Sequence, residues 1–555
     1  MFPASGWGPS CDAWHGDRVT SAWNYADVLE AAAARYAGEV ALVHGPRRLT
    51  WREVDARADG VARALLDAGL GHQAKVAQYQ RNSNEYLEVL FACFKAALVP
   101  VNTNYRYGDE ELRYLWTNSE SEAVVFDAEF TDVCDRLRRE LPGVKVWVRV
   151  GERASCPDWA LAYDDAAESA PGRVVPPWGR SGDDLYLLYT GGTTGYPKGV
   201  MWRQDDLFRM LEVSQGSPLI EPPDPEAFHD REGTRGVTAL PAAPLMHGTA
   251  CWFVLPILAR GGTAVTLTSP SLDALELLDA VVEHKVKGLC IVGEAFARPI
   301  ITELEAHPGR WDLSSLRVLF SSGAMLGQES KRRLLAHAPR LMVVDGLGSS
   351  ESGSLGRSVV DDPDAARTAT FKLSPTARVI TEDGRDVVPG SGERGLLAVG
   401  GYIPLGYWGD PEKTAATFRE IGGRRYVVAG DWATLDEDGT ITLLGRGSSC
   451  INTAGEKVFP EEVEEALKRH PSVADAGVVG VPDERFGEAV TAIVQLAPDA
   501  ELDEAGLIAH VKSQLAGYKA PKRVLAAESF PRGPNGKLDH KALKAQALAA
   551  LGLDG

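Results

Sequence analysis

Residues Leu188–Val200 read LYTGGTTGYPKGV, with four glycines, three threonines, a proline and one lysine between apolar flanks. Glycine lets backbone N–H groups turn inward, hydroxyls stand on either side, and Lys198 adds one charge, which together describe a cradle for polyanionic oxygens. The G-x-x-x-x-G-K-[ST] phosphate loop does not fit, because Pro197 precedes Lys198 and Gly199 stands where a magnesium-binding hydroxyl is needed. The following VMWRQDDLF starts apolar and extended, and Pro197 removes an amide donor, so the pattern predicts strand-loop-strand rather than strand-loop-helix. A Gly-Thr-rich run is also what an ordinary turn looks like, so residues elsewhere must decide.

The chain has 555 residues, 44% hydrophobic and 24% charged, a globular composition whose length suggests roughly three or four structural units. A net charge of −19 argues against a general nucleic-acid binder, which needs clustered lysine and arginine, so an anionic ligand requires a local basic patch. The seven cysteines (Cys11, Cys93, Cys134, Cys156, Cys251, Cys290, Cys450) are odd in number and form no C-x-x-C pair, which reads as reduced thiols in a cytoplasmic protein. The N-terminal MFPASGWGPSCDAWHGDR lacks the basic and apolar regions of a signal peptide, and no apolar run is long enough to span a membrane. Peripheral membrane contact stays open.

From about Asp27 to Leu341, strand-like runs such as AKVAQYQ, GTAVTLT, VKGLCIVG, LRVLFSSG and LMVVDGLG alternate with helical patterns such as NEYLEVLFACFKAALV and DALELLDAVVEH. Such alternation predicts βαβ units and largely parallel sheets. Pro218–Arg235 interrupts the rhythm with proline and charge and reads as a surface excursion, whether a lid or a plain insertion. After Thr376, short strands with turns suggest a compact antiparallel or barrel-like subdomain. A further α+β module begins near Ser448, opening with the helix FPEEVEEALKRHP: Pro460 suits its first turn, Glu461 and Glu462 its N-terminus, and Lys468, Arg469 and His470 its C-terminus. The tail ALKAQALAALGLDG leads to the expectation that no carrier domain is fused.

Three further segments carry chemistry. DGLGSSESG contains Glu351, a carboxylate suited to Mg²⁺ or to capping a helix. YVVAGDWATLDEDGTITLLGRG offers Asp431 for a ribose diol and Arg446 for phosphate or ribose oxygens, or the two as a surface ion pair. FPRGPNGKLDHKAL sets Lys537 on a turn near the C-terminus.

Taken in order, YTGGTTGYPKGV, LPAAPLMHG, LFSSGAM, DGLGSSE, GYWGDPEKTAATF, AGDWATLDEDG, LLGRGSSCINTAGEKVFPEEVE and PRGPNGKL resemble the core motifs of the adenylate-forming superfamily of acyl-CoA synthetases, peptide-synthetase adenylation domains and luciferases, from about Asn24 onward. The resemblance implies an α/β fold with a large N-terminal domain, residues 1–447, of two sheet-helix subdomains plus a small β-barrel. A small mobile α+β C-terminal domain, residues 448–555, would follow, with the active site between the two. It further implies that Thr190, Gly191, Gly192, Thr193, Thr194, Gly195 and Lys198 wrap the ATP phosphates, with Gly348, Ser349 and Ser350 also at the nucleotide. Glu351 would hold Mg²⁺, Asp431 the ribose, and Arg446 ribose or phosphate. Gly323 and Ala324 would form the adenine and acyl floor, and Lys537 would bridge carboxylate and phosphate in the first step. Gly455 and Lys457 would line the pantetheine channel after rotation about a hinge at Ser448, and His247 would border the acyl pocket unless it is a core histidine.

Four positions depart from the commonest pattern: Gly191 where serine is frequent, Leu347 where tyrosine usually stacks on adenine, Ser448 where the hinge is usually aspartate or lysine, and Ala454 in place of glycine. The charged set is intact, and the departures resemble a bacterial subgroup of fatty-acyl and steroid-side-chain CoA ligases. No aspartate follows His247 to pair with an amino-acid ammonium; Thr249, Cys251, Trp252 and Phe253 instead suggest an apolar acyl pocket. Expected substrates are a carboxylic acid, ATP and CoA, with Lys519, Lys522 and Arg523 near the CoA phosphates or on a solvated face, and a homodimer left open. An acyl-AMP ligase serving a separate carrier protein, a non-catalytic sensor and a luciferase-like oxygenase are the alternatives.

Overall fold

The computed structural model describes residues 22–553 apart from 170, 192–195, 231–234, 339, 448–449, 454–455, 484–486 and 533–537, and leaves out the side chains of Arg446, Asn452, Glu456 and Lys457. Its first sheet has eight strands. A parallel core of Leu185–Thr190, Val99–Asn102, Lys75–Tyr79, Ser121–Asp127, Val146–Val150 and Leu161–Ala162 is extended antiparallel by Lys198–Arg203 and Gly406–Tyr407. The expected strand-loop-strand is therefore present.

A second, fifteen-stranded sheet begins with Arg47–Thr50 and Val40–His44 and continues as the parallel run Thr263–Thr266, Thr238–Pro241, Gly288–Ile291, Val318–Ser322 and Met342–Ser349. The strands after Thr376, expected as a small barrel, form an antiparallel extension of this same sheet through Gly353–Val360, Thr370–Leu373 and Thr440–Arg446. Among the described residues the ladder ends at Phe418–Ile421 without closing on itself. Hydrogen-bond register with a strand more than sixty positions away in sequence, as between Thr370–Leu373 and Thr440–Arg446, is invisible to local turn patterns.

Helix Asn84–Lys95, started by the Ser83 side chain accepting from Tyr86 N, is buried along its whole length. Burial forces its charges to pair: Lys95 Nζ meets Glu30, Asp55 and Asp59 at 3.0, 2.7 and 3.0 Å, and Glu88 meets Arg57 Nε at 3.0 Å and the Tyr163 hydroxyl at 2.6 Å. Losing one partner of such a group leaves a buried charge uncompensated, which costs about 3–5 kcal/mol.

The Pro218–Arg235 segment is more than an excursion. Its helix Pro225–Asp230 docks on helix Tyr25–Arg35: Phe228 is buried with its ring edge-on to Trp23 at 5.7 Å, and His229 Nε2 lies 3.1 Å from the Val28 carbonyl.

The C-terminal module is a five-stranded sheet carrying helices Pro460–Lys468, Glu504–Gln514 and His540–Leu551. Pro460 occupies the first helical turn, as its fixed φ and missing N–H favour. This module touches the large domain through Phe459, 6.4 Å from the Trp432 ring, and through Arg394 Nη2, which donates to the Tyr518 hydroxyl at 3.3 Å.

Candidate active site

The hairpin that opened the sequence reading pairs Thr190 with Lys198 across the loop. Gly199 follows the lysine because an added Cβ there would lie 2.7 Å from the Tyr189 ring. The base of the hairpin is clamped by buried Asn102: its Oδ1 accepts from Tyr189 N at 2.6 Å, and its Nδ2 donates to the carbonyls of Tyr189 at 2.8 Å and Met246 at 2.7 Å. Asn102 thus ties the glycine-rich loop to the segment holding His247.

Thr190 is half-buried and Gly191 exposed, while Gly192, Thr193, Thr194 and Gly195 lie outside the described residues. The half-buried Lys198 ammonium lies 5.3 Å from the centroid of the Tyr407 ring, within cation–π range. The Tyr407 hydroxyl in turn donates to Glu351 Oε1 at 2.8 Å. Lys198 and Glu351, from different sheets, therefore converge on one aromatic side chain, supplied by the strand Gly406–Tyr407 that pairs with Val200 and Met201. Tyr407 belongs to the GYWGDPEKTAATF motif, but sequence reasoning gave it no role, and it assigned none to Asn102.

Glu351 sits on the turn joining Met342–Ser349 to Gly353–Val360. Ser349 and Ser352 brace that turn: Ser352 Oγ accepts from Ser349 N at 3.0 Å, and Ser349 Oγ from Ser352 N at 3.1 Å. Trp202 Nε1 donates to the Ser350 carbonyl at 2.9 Å, joining this turn to the phosphate-loop hairpin. Gly348 is needed for close backbone approach, since a Cβ there would fall 2.0 Å from the Gly353 carbonyl oxygen. Asp431 is buried and stands opposite Arg446 in the antiparallel register.

Thr190, His247, Thr249, Trp252, Gly323, Leu347, Gly348, Ser349 and Ser350 all line one continuous groove system of about 4280 Å³. That is larger than a ligand pocket of about 300–1,000 Å³, so several ligand sites have room along it. Gly323, with φ of +88°, turns the chain into the groove after Val318–Ser322, and the half-buried Ala324 follows it.

His247 immediately precedes helix Gly248–Ala259, whose Thr249, Trp252, Phe253 and Pro256 face the groove; Phe253 stacks on Phe320 at 5.8 Å. Cys251 corrects the sequence expectation. It is wholly buried in the core, where the Tyr186 hydroxyl donates to its Sγ at 3.6 Å and burial pushes its thiol up to about 12. Helical spacing explains this, because positions i, i+3, i+4 and i+7 from Thr249 share a face that position 251 does not.

Ser448, Gly455 and Lys537 lie outside the described residues, as do the side chains of Arg446 and Lys457. Lys519 forms an ion pair with Glu462 within the C-terminal module. No group of three or more His, Cys, Asp or Glu among the described residues forms a metal site. A lone Glu351 held by a tyrosine hydroxyl nevertheless suits Mg²⁺, which binds through one or two carboxylates together with substrate phosphates and keeps several waters.

Fold and groove define an adenylate-forming enzyme. Residues 29–408 match the AMP-binding enzyme family and residues 462–537 the AMP-binding enzyme C-terminal domain, so the chain belongs to the AMP-binding enzyme family. It is 39% identical over 536 residues to a 3-oxocholest-4-en-26-oate–CoA ligase of Rhodococcus rhodochrous, covering 95% of this chain and 96% of the relative. It is also 39% identical to the medium-chain acyl-CoA ligase Mig of Mycobacterium avium, over 96% and 99% of the two chains. Among solved structures, ATP-bound MatB from Rhodopseudomonas palustris superposes with a TM-score of 0.78 at 26% identity, over 94% of this chain and 99% of that one. The anthranilate CoA ligase AuaEII shares the fold, with a TM-score of 0.82 at 22% identity over 96% and 99% of the chains.

Proposed function

We propose that the chain activates an apolar carboxylic acid, a fatty acid or a steroid side-chain acid, as its acyl-adenylate and passes the acyl group to CoA. It is an AMP-forming acid–thiol ligase that uses ATP and CoA as substrates together with Mg²⁺. The observation that carries the reading is the convergence of Lys198 and Glu351 on Tyr407, Glu351 following directly on Ser349 and Ser350, which line the groove.

In the first step the carboxylate oxygen attacks the α-phosphorus of ATP and pyrophosphate leaves. Two anions must meet in a protein of net charge −19, so local cations have to offset the repulsion. Lys198, Arg446 and Lys537 serve there, with Asp431 on the ribose and the Thr190 loop around the phosphates. Glu351 would hold Mg²⁺, which neutralises the departing pyrophosphate when bound. Leu347 packs against the adenine as an aliphatic surface. His247, Thr249 and Trp252 shape the acyl site on the floor of Gly323 and Ala324.

In the second step the CoA thiol attacks the acyl-adenylate carbonyl and AMP leaves. This step has no pyrophosphate to clamp, so the C-terminal domain, residues 448–555, rotates about Ser448, withdraws Lys537 and brings Gly455 and Lys457 to the pantetheine channel. The odd number of cysteines and the absence of a C-x-x-C pair in the sequence support a reducing, cytoplasmic setting.

The test is mass spectrometry of the purified protein with ATP, Mg²⁺, CoA and a panel of fatty, aromatic and steroid-side-chain acids. Acyl-CoA formed together with AMP is expected; acyl-AMP accumulating without thioester would move the acceptor to a carrier protein.

A further inference from the structure

Between Thr190 and Lys198 the chain carries one large side chain, Tyr196, in a run otherwise made of glycine, threonine and proline. A phosphate cradle is built from backbone amides and hydroxyls and has no use for an exposed aromatic ring, yet Tyr196 is 48% exposed. Its surroundings account for it. The ring stacks on Tyr114 with centroids 4.3 Å apart and planes inclined by 21°, and its hydroxyl donates to Glu110 Oε1 at 2.8 Å.

Both partners belong to helix Asp109–Asn118. Glu110, Tyr114 and Asn118 recur at intervals of four, so they form one stripe about 12 Å long. The whole stripe serves the hairpin and its neighbour: Asn118 Oδ1 accepts from the Tyr189 hydroxyl at 2.7 Å, and the Asn118 carbonyl accepts from Trp408 Nε1 at 3.0 Å, next to Tyr407. The helix is itself anchored, with Leu112, Leu115 and Trp116 buried, Arg113 Nε paired with Glu140 at 2.7 Å and Arg136 Nε with Asp109 at 3.1 Å. Tyr196, Pro197 and Lys198 then act as a short strut. The ring of Pro197 fixes its φ, and Lys198 is held in the ladder opposite Thr190, which leaves Tyr196 as the member whose order depends on side chains distant in sequence.

We propose that Tyr196 is a positioning residue for the nucleotide: anchored on Tyr114 and Glu110, it steadies the limb that carries Lys198 and so strengthens binding of the ATP polyphosphate without touching it. The inference rests on the reading of Lys198 as a cation for the ATP phosphates. Order that the protein supplies before the ligand arrives is not drawn from the binding free energy. An aromatic pair of this kind sets the scale at about fivefold in affinity. The competing account is that the pair merely covers apolar surface of the helix.

The experiment uses the full chain, Tyr196→Ala, Tyr196→Phe, Tyr114→Ala and the double variant Tyr196→Ala with Tyr114→Ala. Equilibrium binding of ATP with Mg²⁺ and of AMP, steady-state kinetics with decanoic acid, and melting temperature are measured for each. Tyr196→Ala should raise Kd and KM for ATP about fivefold while kcat, KM for the acid and Kd for AMP, which lacks the β- and γ-phosphates, hold steady. Tyr196→Phe keeps the stacked ring and should recover most of the loss. The double variant should bind ATP no worse than either single one, because the pair acts as a unit. Equal losses for ATP and AMP, additive losses in the double variant, or a lowered melting temperature with ATP binding intact would overturn the proposal. Wild-type protein that binds no ATP would sink the reading of the site and this inference with it, whereas wild-type ATP binding that Tyr196→Ala leaves unaltered would sink this inference alone.

Discussion

The Tyr407 hydroxyl donates to Glu351 Oε1 at 2.8 Å while the Tyr407 ring lies 5.3 Å from Lys198 Nζ, so one side chain positions both the carboxylate and the cation of the candidate active site. Tyr407→Phe keeps the ring and removes the hydroxyl. It should raise the Mg²⁺ concentration for half-maximal pyrophosphate release about tenfold, at the lower end of losses on removing groups that orient a metal ligand. Thermal stability should change little. An unaltered Mg²⁺ response would show that Tyr407 does not position Glu351 for the metal.

Asn102 makes three hydrogen bonds to the phosphate-loop strand and to the segment before His247. Asn102→Ala leaves those buried backbone groups short of partners, at about 1–3 kcal/mol for each group left unsatisfied. Denaturant unfolding should show the loss. KM for both ATP and the acid should rise together, whereas a change in only one would mean that the clamp does not couple the two segments.

Gly199→Ala places a methyl group 2.7 Å from the Tyr189 ring. Overpacking of this kind costs about 1–3 kcal/mol. Gly199→Ser, which restores the hydroxyl of the other phosphate-loop pattern, should destabilise at least as much and gain no activity. Improved ATP turnover in the serine variant would contradict the steric account.

The cysteines sort by burial. Cys93, Cys134, Cys251 and Cys290 are buried, and burial raises the thiol of each, whereas Cys156 and Cys450 are half-buried. A thiol held up to about 12, as at Cys251, offers almost no thiolate at neutral pH. Alkylation of the native protein followed by peptide mass spectrometry should label Cys156 and Cys450 well before those four. Early labelling of Cys251 would return it to the groove wall.

Lys537→Ala should cripple adenylation yet leave conversion of supplied acyl-AMP to acyl-CoA largely intact, because the proposed rotation removes Lys537 from the second step. Measuring the two half-reactions separately decides it, and equal losses in both would refute the assignment.

The sequence alone determined what short-range physics controls. Pro197 and the apolar, extended run after it predicted strand-loop-strand, and the alternation of strand and helix patterns predicted largely parallel sheets; the structure pairs the two strands antiparallel. Conserving no more than residue types in order, the motifs also marked Lys198 and Glu351 as candidates. Tertiary structure decided what depends on partners distant in the chain. The strands after Thr376 join the second sheet rather than closing a barrel, and Pro225–Asp230 docks on Tyr25–Arg35. Tyr407 reaches Glu351 across 56 positions, and Asn102 reaches Tyr189 across 87. Hydrogen bonds and ring contacts of that kind exist only once the chain has folded, because neither partner's neighbours in sequence carry any trace of the other.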